Sequence, residues 1–254
     1  MKGKILCAFV CLLLVALCAA PAAAQQEKGT IGFIAFVKPM AGHQVQFEAA
    51  AKAHVEEFHR KQNDTWEWFV WQTLTGPGTG TYGFGTFDHH WSDFDNPKVS
   101  READAADFQA RVGPHVESVE ATYWNYLPDL SRPSDTPAPM ETVLIFQLHQ
   151  GKDADFRRSI AKARAAAEKT NRPVRTHWWE LVNGGTHPTY ALTIPRANWA
   201  AMAPPAQSLE AMLEEVYGRA EAADILEGFS KSIKSVSSEV IKSRPDLSYT
   251  PAMK

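Results

Sequence analysis

A ladder of paired residues runs through most of the chain at a nearly constant spacing. Trp71 and Trp179, Gly76 and Gly184, Thr81 and Thr189, Tyr82 and Tyr190, and Trp91 and Trp199 all stand 108 residues apart. Upstream the offset becomes 109, where Gly42-x4-Phe47 meets Gly151-x4-Phe156. Downstream it becomes 117, where Pro128-Asp-Leu-Ser131 returns as Pro245-Asp-Leu-Ser248. Chance matches do not keep their order over a whole unit, so the spacing predicts two copies of one supersecondary unit. The copies are expected over 25–130 and 140–254, with the proline-rich stretch 131–139 as an extended connector.

Each copy carries the same order of elements. Thr30–Val37 and Thr142–Leu148 are rich in β-branched and aromatic residues and predict first strands. Phe47, Ala51, Val55 and Phe58, matched by Phe156, Ile160, Ala163 and Ala167, recur at helical spacing. Second strands follow at Trp66–Leu74 and Arg175–Val182, then glycine turns and third strands at Thr81–Phe87 and Thr189–Ile194. A second helical region and a fourth strand close each unit. This is the β-α-β-β-α-β order of a ferredoxin-like unit, giving an α+β fold class. One face of each sheet is covered by helices, and the bare face needs a partner. Two such units packed sheet to sheet, as an intramolecular α+β barrel, satisfy both copies. The third strands place Tyr82, Phe84 and Thr86 on the helix face and Thr81, Gly83 and Gly85 on the other. Those small residues allow either close sheet contact or a central cavity.

The first 24 residues combine Lys2 and Lys4, an apolar run from Ile5 to Ala20 and a small-residue site ending at Ala24, the pattern of a secretory signal peptide. The expected location is therefore outside the cytoplasm, periplasmic or secreted, with no membrane insertion once the leader is removed. Cys7, Cys11 and Cys18 all lie in that leader, so the processed chain would have no disulfide, thiolate ligand or cysteine nucleophile. Losing two lysines moves the formal charge from −3 to −5. An acidic chain with no basic block excludes nucleic acid as an expected partner.

The Gly42 and Gly151 helix starts, the Trp71 and Trp179 strands, the glycine hairpins, and Trp91-Ser-Asp-Phe94 and Trp199-Ala-Ala-Met202 together resemble the dimeric α+β barrel superfamily. That group includes antibiotic-biosynthesis monooxygenases and NIPSNAP-like proteins. The resemblance implies a menu of chemistry: cofactor-free oxygenation of activated phenols, haem binding or breakdown, small-molecule binding, or scaffolding. No histidine recurs between the copies, as the haem option would favour.

Gly78, Gly80 and Gly83 spell GxGxxG, but the motif joins two strands and opens no helix, so a hairpin is expected in place of a dinucleotide loop. His89, His90, Asp93 and Asp95 contain metal-ligand residue types, yet adjacent histidines diverge in an extended chain. His54 and Glu57 are one helical turn apart and fit a surface pair as well as a ligand pair. No GxSxG elbow occurs. The second strands carry the candidate site. Glu67, Phe69 and Trp71 of one copy and Arg175, His177 and Trp179 of the other would line the space between sheets. There they would hold a small aromatic or acidic molecule, with His177 as general base. No metal or other cofactor is expected. The reading is an exported small-molecule-binding or structural protein, with a cofactor-independent monooxygenase of aromatic substrates as the alternative.

Overall fold

The computed structural model describes residues 28–134 and 137–252; the leader read over residues 1–24 lies outside them. The first half runs β1 (Ile31–Pro39), α1 (Gln44–His54), a π-helical turn (Val55–Arg60), β2 (Phe69–Thr75), β3 (Tyr82–His89), α2 (Arg101–Arg111) and β4 (Val116–Tyr126). The second runs β5 (Met140–Leu148), α3 (Asp153–Lys169), β6 (His177–Asn183), β7 (Thr189–Arg196), α4 (Leu209–Tyr217), α5 (Arg219–Ser232) and β8 (Ile233–Ser243). Repeated glycines sit where the backbone turns left-handed: Gly42 and Gly151 (φ 79° and 76°) before the first helix of each half, and Gly76 and Gly184 (φ 87° and 89°) in the hairpins. Ser100 and Ser208 cap α2 and α4, accepting the Ala103 and Ala211 N–H groups. The nine extra residues of the second half fall where α4 and α5 stand in place of the single helix α2.

All eight strands form one closed antiparallel barrel in the order β1-β3-β2-β8-β5-β7-β6-β4. The sheets are therefore not merely stacked. Ladders β2 to β8 and β4 to β6 join them at both edges, leaving no sheet edge unpaired. Tyr82 and Phe84 face outward beneath α1, against Phe47, as the two-residue period requires. The opposite face of β3 settles what its glycines are for. The Trp71 indole fills the space a Gly83 side chain would take, and Trp71 and Phe87 together do the same at Gly85. Small residues on one strand make room for inward aromatic rings from its neighbours. The GxGxxG segment is a hairpin, as expected, and its Gly78 N–H donates to the Glu239 carboxylate of the other half at 2.8 Å.

The repeated Pro-Asp-Leu-Ser segments are exchanged between the halves. Leu130, at the end of the first half, is buried in the core of the second with Phe156 and Trp178. Leu247, at the end of the second half, is buried in the core of the first with Phe47 and Val70. Ser131 Oγ accepts the Trp178 N–H at 2.8 Å, and Ser248 Oγ accepts the Val70 N–H at 2.9 Å. Beside the second exchange, Arg244 clamps Glu48 through two bonds of 2.7 and 2.8 Å, and Tyr82 donates to the same carboxylate. The Arg244 guanidinium outweighs burial and holds the Glu48 carboxyl down at about 2, while burial and Glu48 push Tyr82 up to about 12.

Two outcomes are expected. Gly83→Ala should lower unfolding free energy by about 1–3 kcal/mol through overpacking, and most of that loss should vanish in a Trp71→Ala background, as read by urea denaturation. Because the Glu48 carboxyl is depressed in the folded state, its contribution is present above its ordinary value of 4.5 and lost as pH falls through about 2. Glu48→Gln should accordingly cost about 1–2 kcal/mol at pH 7, after allowing for solvent screening, and progressively less below pH 4.

Candidate functional site

Barrel closure brings the aromatic members of the predicted site together. Phe87 bridges them, with its ring centroid 6.5 Å from Trp71, 5.9 Å from Phe69 and 5.3 Å from Trp179. Tyr126 extends the line from Trp179 (4.9 Å) to His177 (6.2 Å). Burial pushes His177 below its ordinary value, so it is neutral at pH 7. Glu141 lies one position along on the inward face of β5, where burial raises its carboxyl against a hydrogen bond with Thr193, the residue paired with His177. The charged members go elsewhere. Glu67 accepts a hydrogen bond from Thr250 at 2.8 Å, Arg175 is exposed, and among the described residues no ion pair joins them.

A second constellation lies outside the barrel, between the helix layer and sheet of the first half. Its core is His54, His59 and Asp104, all largely buried. On a regular α-helix, residues five apart point roughly 140° away from each other. Here α1 widens into a π-helical turn over Val55–Arg60, and the wider turn swings His59 back beside His54. Asp104 comes from α2, which crosses above. The three donor atoms converge: His54 Nε2 lies 3.1 Å from His59 Nε2, and Asp104 Oδ1 lies 3.1 and 3.4 Å from the two nitrogens. Although so close to both, Asp104 Oδ1 is buried and accepts a hydrogen bond from neither.

The outer nitrogens fix the tautomers. His59 Nδ1 donates to Asp64 at 2.8 Å and His54 Nδ1 donates to Asp107 at 2.7 Å. Burial would raise both carboxyls, but the imidazole donors hold each below its ordinary range. Asp64 is helped by the Trp66 and Trp68 N–H groups, and Asp107 by Arg111. An ionised carboxylate can only accept, so each Nδ1 carries a hydrogen and each Nε2 is turned inward. Two imidazole nitrogens and a carboxylate oxygen then face one another, a donor set that could hold a cation. Metal–ligand bonds of about 2.0–2.1 Å subtend ligand–ligand edges of roughly 2.9–3.4 Å in octahedral or tetrahedral geometry, which the observed separations match. A carboxylate behind each ligating imidazole is the usual support of such a site.

Asp64 and Asp104 also line a cavity of about 140 Å³ with Phe33, Trp66, Trp68 and Arg101. That is close to the roughly 150 Å³ that holds a benzene ring. The Arg101 guanidinium lies over the Phe33 ring at 4.7 Å, adding one positive charge to an aromatic wall. The residues do not suit haem. Helices α3, α4 and α5 carry no histidine, and His54 and His59 of the first half turn their Nε2 atoms toward each other in a buried cluster.

Helical spacing paired His54 with Glu57, whereas Glu57 pairs with Lys61 and His54 turns inward to His59. The missed signal is His54-x4-His59-x4-Asp64 followed by Asp104-x2-Asp107. His89 and His90 diverge as expected, but His89 is not in a solvated loop. It is buried against Trp66, 4.2 Å between centroids, and bonded to Thr86 at 2.6 Å.

No protein-family profile and no curated protein matches the chain in sequence. Solved structures are similar to it in fold. A protein from Lactobacillus acidophilus assigned as a monooxygenase is 11% identical, with a TM-score of 0.54 over 88% of this chain and 97% of its own. An anthrone oxidase-like protein is 10% identical, with a TM-score of 0.52 over 86% and 92%. A chlorite dismutase variant from Candidatus Nitrospira defluvii is 11% identical, with a TM-score of 0.53 over 87% and 93%. These neighbours share the dimeric α+β barrel fold, which this chain builds within one polypeptide.

Proposed function

We propose that the protein holds one divalent first-row transition-metal ion through His54, His59 and Asp104 and presents it to a small aromatic molecule entering the Trp66 and Trp68 cavity. This replaces the expectation that no metal takes part. The observation that carries the reading is the convergence of three ligand-type atoms within 3.4 Å of one another, each imidazole backed by its own carboxylate. Three protein ligands with positions left open is the ligand count of catalytic sites, and two histidines with one carboxylate is a set used by non-haem iron for oxygen chemistry. Oxidation is thus the first reaction class to test, in keeping with the names of two of the fold neighbours.

Within this reading each half is a ferredoxin-like unit and the chain a tandem duplication, since residue ladder and element order recur together. Export by a leader cleaved near Ala24 would place metal capture outside the cytoplasm.

Equilibrium dialysis of the purified protein against Zn²⁺ or Co²⁺, with bound metal counted by mass spectrometry, should give about one ion per chain. His59→Ala and Asp104→Asn should abolish binding, and Asp64→Asn or Asp107→Asn should weaken it by about 10–100-fold. A hydrogen-bonded network with no metal role predicts no bound ion in any of these proteins, and that result sinks the reading.

A second reading keeps the cofactor-independent monooxygenase at His177, favoured by the neutral His177 and the raised Glu141 carboxyl flanking Thr193 inside the aromatic barrel. Oxygen uptake with hydroquinones that survives chelator and disappears in His177→Ala would select it. Uptake lost with chelator would select the metal.

A further inference from the structure

The space under the helix layer is occupied differently in the second half. A cavity of about 260 Å³ lies between α3, α4, α5 and the outer face of β6 and β7. Ala163 and Ala167 of α3 floor one side; Trp178, Leu192, Leu213 and Phe229 supply most of the rest. Its origin can be read in the repeat. At the 109-residue offset set by Phe47 and Phe156, His54 falls on Ala163, and at the 108-residue offset of Trp71 and Trp179, His59 falls on Ala167. Where the first half fills this layer with two imidazole rings, the second has two methyl groups. The added helix α4 roofs the gap instead of filling it.

The walls are apolar, but three guanidinium groups also line the cavity: Arg132, Arg164 and Arg172. Each is fixed by a backbone carbonyl, Arg132 on Val174 (3.0 Å), Arg164 on Ser131 (3.0 Å) and Arg172 on Ser208 (3.3 Å). A guanidinium has five donors, so these contacts leave N–H groups for a ligand. Their charges are poorly balanced. Glu168 pairs with Arg164 at 2.9 Å, and among the described residues no acidic residue lines the cavity. Arg132 is held below the usual arginine range by burial and by Arg175, Arg164 and Arg172, with Glu168 opposing them. Positive charge gathered at an apolar pocket, on a chain of net charge −3, gives an anion a local place to bind.

We propose that this cavity binds a small amphipathic monocarboxylate. Its hydrocarbon part lies against Trp178, Leu213 and Phe229, and its carboxylate is held by Arg132 and Arg172 with Arg164 beside them. Scaling from the roughly 150 Å³ that holds benzene, the apolar part has on the order of ten carbons. The site is independent of the histidine cluster, which belongs to the other half.

Calorimetric titration of the whole chain with decanoate, in the presence of chelator so that no metal contributes, tests the assignment. Decanoate should bind one to one, and decanol should bind at least about tenfold more weakly, because it offers the guanidinium groups no charge. Arg132→Gln and Arg172→Gln should each lower decanoate affinity by about tenfold or more while leaving decanol unchanged. Ala167→Phe, which puts a ring where the first half has one, should block both ligands; Ala163→Leu does the same should that variant not fold. The proposal is overturned if decanoate shows no binding at millimolar concentration. It is equally overturned if decanol binds as well as decanoate, or if the folded cavity-filling variant binds as the parent does. Decyl sulfate binding much more tightly than decanoate would reject the carboxylate in favour of another anionic headgroup.

Discussion

Everything in this molecule depends on the reciprocal exchange of two short segments. Leu130 enters the core of the second half and Leu247 that of the first, and each is followed by a serine whose hydroxyl accepts a strand N–H from the half it has entered. Burying a leucine contributes about 1.5–3 kcal/mol, so each exchange is a substantial part of the stability of a single domain. The edge ladders alone give closure with no preference for this partner over another chain's sheet. The exchanged leucines supply that preference, since each half lacks a core residue that the other carries. Arg244 then ties the crossing to Glu48 and Tyr82, placing a charged clamp where the second tail enters.

The same exchange builds the histidine cluster. Tyr249, two residues beyond Leu247, pairs with Trp68 in an isolated bridge, stacks on the His59 ring at 5.7 Å and donates its hydroxyl to the Asp64 carbonyl. A site whose ligands all belong to the first half is thus covered by the last residues of the second. The two halves share a scaffold and diverge in what lies beneath their helices: imidazoles and carboxylates in one, alanines and arginines in the other.

Sequence spacing exposes the scaffold far better than the chemistry. The residue ladder marks Gly42, Gly76, Gly151 and Gly184 because each needs a left-handed backbone. It marks Tyr82 and Tyr190 because each is fully buried beneath its helices. Such constraints are local, so they recur wherever the same turn or packing recurs in the other half. The histidine cluster escapes for the opposite reason. It occurs once, so comparison of the copies discards it. It also rests on a π-helical turn, which breaks the 3.6-residue period by which faces are assigned. Glu67 and Arg175 show a further limit. Both lie just outside the strands, where alternation no longer governs direction, and neither turns to the other. Trp71, Phe69 and Trp179 lie within strands, where alternation holds, and Phe87 joins them.

The position of Tyr249 has a consequence for how the site can fail. It lies outside the eight barrel strands and meets the sheet through an isolated bridge to Trp68. Releasing it would leave the barrel ladders untouched while uncovering one face of the His59 ring. Folded shape and site integrity are therefore separable properties here, and a preparation can keep its secondary structure while losing the cover of its imidazole cluster.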